Sequence, residues 1–211
     1  MVPSRVSRWL VVVLLAVTGC ASNGLIRGTV RVPRSVPAPV RKANVASRPS
    51  PADAIVYLEN VPRKVDAALS HGAKVPTIEQ TEHRFVPYVL PVVAGSTVRF
   101  ENRDHVYHNV FSVTPNKPFD VGKYAPGKVK EVRFDSTGVV QVFCDIDPSM
   151  SAYVIVLPHR VFVKPDPSGA FVLPQLPRGT YILKVWHPSF GRLSRRVEMP
   201  KTGDAVVELR Y

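Results

Sequence analysis

The sequence predicts an all-β protein. Short runs of β-branched and aromatic residues recur along the chain, and turn-forming residues separate them at regular spacing. Helical periodicity is scarce, and the 21 prolines among 211 residues amount to about twice the usual share of ~5%. With this length the chain is expected to form one or two small domains.

The chain begins with the features of a secretory signal. Arg5 and Arg8 precede an apolar run over residues 9–17, which Thr18-Gly19-Cys20 follow. The run is too short to span a bilayer, which requires about 20 apolar residues. The ending Val-Thr-Gly-Cys resembles a bacterial lipobox, which implies that residues 1–20 hold a lipoprotein signal and that Cys20 carries the lipid. A plain signal cleaved near Ala21, or an uncleaved anchor, is the alternative.

The residues after Cys20 and the net charge bear on location and partners. Ala21-Ser22 lack the aspartate that implies inner-membrane retention in lipoproteins of two-membrane bacteria, so we expect the periplasmic side of the outer membrane rather than the inner one. The formal net charge is +12. An exported protein without a recognition motif is not expected to bind nucleic acid. The positive charge is then explained by binding to anionic lipid, by an acidic redox partner, or simply by its effect on solubility.

The cysteine count leaves one thiol for chemistry. The chain has two cysteines, Cys20 and Cys144, and lipidation of Cys20 leaves Cys144 without a disulfide partner. An unpaired cysteine in an oxidising compartment is prone to oxidation unless it is buried or binds a metal. Cys144 is therefore either a metal ligand or a buried structural residue.

The N-terminal part of the mature chain, residues 24–62, contains two predicted strands and a basic loop. Residues 24–32 and 54–59 have strand-like composition, whereas residues 33–51 are rich in Pro, Ala, Ser, Arg and Lys. One or two helical turns are expected over residues 63–70, before His71-Gly72 ends them.

Residues 77–157 contain short predicted strands and a loop that carries two sulfur atoms. The strands are typical of a Greek-key sandwich. Val140, Val142 and Cys144 alternate on one strand face, and residues 151–157 form a second β-branched run, so the loop from Cys144 to Met150 is short and anchored at both ends. A thiolate and a thioether together favour copper, above all Cu(I).

Two motifs in this region resemble those of the cupredoxins, most closely amicyanin and the plastocyanin-like bacterial proteins of the methylamine-utilisation type. The family motif Cys-x-x-His-Pro-x-Met follows a distant His-Asn-Val, which here is His108-Asn109-Val110. The resemblance implies one mononuclear copper site with His108 and Cys144 as ligands and Met150 as the weak axial ligand. It also implies that Asn109 tethers the loop by hydrogen bonds.

The chain departs from this pattern at Asp147, which stands where the family has its second histidine. Asp147 is the candidate fourth ligand, and a carboxylate there favours Cu(II), lowers the potential and is a poorer conduit for electrons. A substitute histidine is the alternative. His105 lies only three residues before His108, and the sequence does not place His83, His159 or His187, for which an ordinary surface or hydrogen-bonded role is the simpler interpretation.

Residues 158–211 resemble the later strands of a small transthyretin-like or carboxypeptidase-regulatory-like sandwich. Because 54 residues form only a marginal core alone, we expect them to pair with the strands of residues 24–62. The cupredoxin-like unit would then be an insertion in a discontinuous domain. Two domains in tandem are the alternative.

Two functions follow from these observations. The first is a lipid-anchored, copper-binding one-electron carrier that serves a periplasmic dehydrogenase or cytochrome. The second is a copper-free lipoprotein with a degenerate cupredoxin fold, acting as a binding or assembly module. Enzyme activity is not expected, because the sequence has no nucleophile elbow, no His-Glu-x-x-His motif and no phosphate-binding loop.

Overall fold

The structure, a computed structural model, describes residues 23–35, 48–69 and 74–211. The signal segment with Cys20, most of the basic loop and the His71-Gly72 helix stop lie outside the described residues. The predicted all-β fold class is confirmed. In the described part of the chain, no helix is long and apolar enough to cross a membrane.

The described residues form strands that succeed one another along the chain, with a 3-10 turn (Pro51–Asp53) before the second strand and a short helix α1 (Arg63–Ala68) after it. The strands are β1 (Ile26–Arg31), β2 (Ile55–Leu58), β3 (Thr77–Thr81), β4 (Arg84–Val86), β5 (Val89–Val93), β6 (Ser96–Asn102), β7 (Phe111–Ser112), β8 (Phe119–Asp120), β9 (Val129–Phe134), β10 (Gly138–Phe143), β11 (Ser151–Leu157), β12 (Phe162–Val163), β13 (Ala170–Val172), β14 (Thr180–His187), β15 (Gly191–Glu198) and β16 (Ala205–Arg210).

The middle of the chain forms two sheets that share one core, which we call the central sandwich. One sheet has the order β5-β11-β10-β7-β8 and the other β4-β3-β6-β9. Phe100 and Phe134 from the second sheet and Val140 and Val154 from the first are at most 1% exposed and belong to one apolar cluster. Burial of these alternating side chains fixes the register of the strands, since a shift by one residue would expose them.

The two ends of the chain form a second pair of sheets, the terminal sandwich. β1 lies between β13 and β16, and β2 lies between β12 and β14, with β15 at the edge. The shared core includes Ile26 of β1, Val56 of β2, Leu183 of β14 and Leu209 of β16, all at most 1% exposed. Strands on either side of the central sandwich in sequence therefore pair with each other in space.

Strand β11 joins the two sandwiches, because both of its faces are covered. Val154 packs in the central core, whereas Ile155 and Leu157 on the other face belong to a cluster with Ile55 of β2 and Trp186 of β14. Strands covered on both faces have continuous apolar sequences rather than alternating ones. This accounts for the uninterrupted apolar run at residues 152–157.

Candidate metal centre

His108 lies in the loop between β6 and β7, and its side chain is completely buried. Its backbone forms a two-way bridge with Tyr124, donating to the Tyr124 oxygen at 3.2 Å and accepting from the Tyr124 N–H at 2.9 Å. Asn102 holds the same loop, since its side-chain N–H group donates to the Val106 oxygen at 2.8 Å. The backbone at and before His108 is therefore held in place by hydrogen bonds to Tyr124 and Asn102.

Cys144 directly follows β10 and faces this imidazole. Its Sγ lies 3.6 Å from His108 Nδ1 and accepts the Asn109 backbone N–H at 3.5 Å. The Cys144 side chain is only 2% exposed. The Asn109 side chain accepts from the Val110 N–H at 2.7 Å and donates to Asp120 at 2.9 Å. These two hydrogen bonds hold the segment after His108 in place beside the sulfur.

The loop from Cys144 to Met150 is closed by its own hydrogen bonds. Cys144 N–H donates to the Met150 oxygen at 3.4 Å, and Met150 N–H donates to the Asp147 oxygen at 3.0 Å. Asp147 Oδ1 accepts both the backbone N–H and the hydroxyl of Ser149, at 3.0 and 2.6 Å. Met150 is 1% exposed and shares the buried cluster of Cys144. A closed loop of this kind keeps both sulfur-bearing side chains in the core.

Asp147 contacts a histidine that the sequence did not place. Its Oδ2 lies 3.1 Å from His83 Nδ1. The hydrogen bond from the Ser149 side chain is the main cause that lowers the pKa of Asp147, and the contact with His83 adds to it. Asp147 is thus an ionised carboxylate at neutral pH, with one oxygen bound to its own loop and the other to His83.

His83 lies in the two-residue turn between β3 and β4. Glu82 and His83 have φ angles of 50° and 57°, which two-residue hairpin turns of type I′ require and which residues other than Gly, Asn and Asp adopt at a cost. The carboxylate of Asp104 stabilises this turn by accepting the N–H of Glu82 at 2.7 Å and that of His83 at 3.0 Å. The ring centroids of His83 and His108 are 5.8 Å apart.

Asp104 also sets the tautomer of His108. Its Oδ2 lies 2.8 Å from His108 Nε2. Burial acts to raise the pKa of Asp104, but hydrogen bonds from His108, His83 and Glu82 outweigh it, so the pKa is lowered. An ionised carboxylate can only accept, so in the neutral ring Nε2 carries the proton and Nδ1, beside the sulfur, holds the lone pair.

The distance between His108 and Cys144 fits two ligands of one metal ion. A nitrogen at ~2.0 Å and a sulfur at ~2.3 Å from a tetrahedral ion lie about 3.5 Å apart, and the observed separation is 3.6 Å. Imidazole, thiolate and thioether are also the donor set that copper prefers. However, within the described ranges no group of three or more His, Cys, Asp or Glu side chains converges on one point.

The other three described histidines are exposed or hydrogen-bonded elsewhere. His105 is exposed. His159 Nε2 lies 2.9 Å from the Leu58 oxygen and His187 Nε2 lies 3.1 Å from the Ser50 oxygen, both in the terminal sandwich. Asp104 and the placement of His83 were missed by sequence reasoning. The Glu82-His83 turn contains no Gly or Asn, so the usual hairpin signal is absent.

No family model and no curated protein matches the sequence. A purple cupredoxin from Nitrosopumilus maritimus is similar to this chain with 24% identity and a TM-score of 0.36, covering 39% of this chain and 99% of its own. Amicyanin from Paracoccus versutus is similar with 19% identity and a TM-score of 0.38, covering 48% of this chain and 97% of its own.

A copper-containing nitrite reductase from Thermus scotoductus SA-01 has 22% identity and a TM-score of 0.37, and the match covers 61% of this chain and 28% of the reductase. These matches do not confirm the carboxypeptidase-regulatory-like sandwich, which stays a prediction. These solved structures include cupredoxins, the family whose motifs this sequence resembles.

Proposed function

We propose that this chain is an exported, lipid-anchored copper protein that carries one electron at a time and catalyses no reaction itself. The observation that supports this proposal best is the distance of 3.6 Å between His108 Nδ1 and Cys144 Sγ. Both side chains are buried, and the Met150 thioether belongs to the same buried cluster. An imidazole nitrogen, a thiol and a thioether that are all buried in the same part of the core are suited to copper.

Bound copper would supply a one-electron couple between Cu(I) and Cu(II). His108 presents Nδ1 because Asp104 holds the proton on Nε2. Cys144 presents its sulfur to the Asn109 N–H, which stabilises negative charge on the thiolate. Because β10, β11 and the two loops are hydrogen-bonded around these residues, their positions need not change between oxidation states.

A redox partner would reach the site across the loop ends. Val106 and Tyr107 lie on the His108 loop and Ile146 on the Cys144 loop, and all three side chains are exposed. We propose that these exposed side chains contact the redox partner. We propose a periplasmic dehydrogenase or cytochrome as the partner.

A visible spectrum tests copper binding. Wild-type protein loaded with Cu(II) is expected to show an intense thiolate charge-transfer band, and the Cys144→Ser variant is expected to lose it. Since serine is close to cysteine in size, the variant also controls for folding, which circular dichroism checks. A wild-type protein without any copper-dependent band would contradict the proposal.

Membrane fractionation tests the lipid anchor. The Cys20→Ala variant, expressed in a bacterial host, is expected to leave the membrane fraction, because Cys20 is the acceptor in the lipobox-like ending of the signal. A Cys144→Ala variant serves as the control and is expected to remain with the membrane. If Cys20→Ala is retained as fully as wild type, the anchor is not a lipid on Cys20.

One observation favours the second candidate function, a copper-free binding module. Among the described residues no group of three or more His, Cys, Asp or Glu side chains converges on one point, and the carboxylate of Asp147 is engaged by Ser149 and His83. In that case the buried His108 and Cys144 would serve packing, and the exposed loop residues would bind a protein partner without electron transfer.

A further inference from the structure

We propose that His83 supplies the imidazole that position 147 lacks, and that Asp147 is the carboxylate that orients it. The inference rests on the proposed copper site and completes its donor set. Copper would be held by His108 Nδ1, Cys144 Sγ and His83 Nε2, with Met150 as the weak axial contact. Asp147 is then a positioning residue and not a ligand.

The turn that carries His83 is built at a cost that a simple connection would not need. Among the described residues, Glu82 and His83 are the only two other than glycine with positive φ. Positive φ is unfavourable for residues other than glycine, and such conformations concentrate at functional sites. Asp104 stabilises the turn through the N–H groups of both residues. The chain thus keeps a histidine where glycine or asparagine would be easier.

One carboxylate connects this turn to the metal centre. Asp104 Oδ2 accepts from His83 N–H at 3.0 Å and from His108 Nε2 at 2.8 Å. The backbone of one histidine and the ring of the other are therefore tied to a single oxygen atom.

The two imidazoles are spaced for a shared ion. Two rings bound through nitrogen at ~2.0 Å, about 110° apart, have centroids about 5 Å from each other. The observed spacing is 5.8 Å, with the ring planes 84° apart, so the His83 side chain must move toward His108 for both rings to bind one ion. His83 has this freedom, since its side chain is 62% exposed.

Asp147 completes the arrangement by selecting the donor nitrogen of His83. Its Oδ2 lies 3.1 Å from Nδ1, and its Oδ1 is held by Ser149. A carboxylate that accepts the Nδ1 proton leaves the lone pair on Nε2, as the carboxylate partners of metal-bound histidines do. Asp104 acts on His108 in the same way, except that it accepts from Nε2 and leaves Nδ1 as the donor to the metal. The proposed site then has two histidine ligands, each oriented by its own carboxylate, and no carboxylate ligand.

The experiment compares four proteins loaded with Cu(II) alone: wild type, His83→Gly, Asp147→Asn and His105→Gly. Glycine adopts positive φ freely, so His83→Gly removes the imidazole and keeps the turn. His105→Gly removes a nearby exposed histidine as the matched control. The readouts are the thiolate charge-transfer band, the number of imidazole nitrogens counted by pulsed electron paramagnetic resonance, and the copper dissociation constant from competition with a chelator.

We expect two imidazole nitrogens in wild type and one in His83→Gly, with copper bound at least 100-fold more weakly. Added free imidazole should restore the wild-type band in His83→Gly. Asp147→Asn should keep both nitrogens and bind copper about 10–100-fold more weakly, as loss of an outer partner does. His105→Gly should match wild type.

Three results would overturn the inference. Loss of the band in Asp147→Asn together with an unchanged spectrum in His83→Gly would make Asp147 the ligand. Wild-type spectra in both variants would reduce the His83–Asp147 contact to a surface ion pair, while copper binding itself stands. Absence of any copper band in wild type would remove the proposed function and this inference with it.

Discussion

Asp104 is the residue on which the geometry of the candidate centre depends most. It accepts three hydrogen bonds, from the backbone of Glu82, the backbone of His83 and the ring of His108. The His108 ring is buried, so a lost partner at Nε2 would leave a polar group without compensation. The same carboxylate therefore sets the tautomer of His108 and the shape of the β3–β4 turn.

We expect Asp104→Asn to weaken copper binding about 10–100-fold. Asparagine carries no charge and has one acceptor oxygen, so it cannot serve all three donors or hold the proton on His108 Nε2 as strongly. Competition with a chelator measures the change. Asp135→Asn, an exposed carboxylate paired with Arg133 in the same sandwich, is the control. Equal affinities in both variants would show that Asp104 has no role at the centre.

At this scale the sequence could predict the donors that a motif contains and not the residues that support them. His108, Cys144 and Met150 stand in two recognisable segments. The interactions of Asp104 depend on a turn 21 residues away in sequence that lacks the Gly or Asn by which such turns are recognised. The contact between His83 and Asp147 spans 64 residues, and no local pattern encodes it.

At the level of single elements, β14 ends in a buried histidine that joins the hairpin with β15 to the segment before β2. His187 is 1% exposed. Its Nε2 lies 3.1 Å from the Ser50 oxygen, and its Nδ1 accepts the Ser189 N–H at 3.1 Å. One nitrogen donates and the other accepts, so the folded protein requires the neutral ring. Burial lowers the pKa of His187 from 6.5 to about 4.

We expect the metal-free protein to lose stability as the pH falls from 6.5 to about 4. The unfolded chain binds a proton at His187 in this range and the folded chain does not, so the neutral ring contributes fully above pH 6.5. The loss is on the order of 3 kcal/mol, at no more than about 1.4 kcal/mol per pH unit. Denaturant titrations at several pH values measure it.

The variant His187→Gln separates this residue from other titrating groups. Glutamine does not titrate, so the free energy of unfolding should be lower than in wild type at pH 7 but should change less with pH. His105→Gln, at an exposed site, should keep the wild-type slope. Parallel curves for wild type and His187→Gln would assign the pH dependence to another group.

Strand β11 could be predicted from its sequence pattern, but the residues that cover its second face could not. Its β-branched run predicts a strand, and a continuous apolar run indicates cover on both faces. What covers the second face is Trp186 and Ile55, which lie on opposite sides of β11 in sequence. Helix α1 ends at Ala68, close to the predicted turns over residues 63–70, because such local signals need no distant partner.

At the scale of the whole molecule, strands from the two ends of the chain pair with each other in the terminal sandwich. β1 pairs with β13 and β16, and β2 pairs with β12 and β14. Lys164 adds a contact across the sandwiches, because its Nζ donates to the Val89 oxygen at 2.9 Å. We propose that the terminal sandwich is one discontinuous domain into which the central sandwich is inserted.

A chain truncated after Leu157 tests this proposal. It retains β1 and β2 but removes every strand with which they pair, and it uncovers Ile155 and Leu157 by removing Trp186. Unpaired strand edges and an exposed apolar face promote association. We therefore expect the truncated protein to form aggregates in size-exclusion chromatography, with rapid hydrogen exchange at the amides of β1 and β2 that are protected in the full chain.

A shorter chain of residues 74–157 is the matched control. It exposes the same face of β11 but lacks the unpaired strands, so it should aggregate less. If the chain ending at Leu157 is instead monomeric and keeps β1 and β2 protected, these strands pair within the N-terminal part, and two domains in tandem describe the protein better than an insertion.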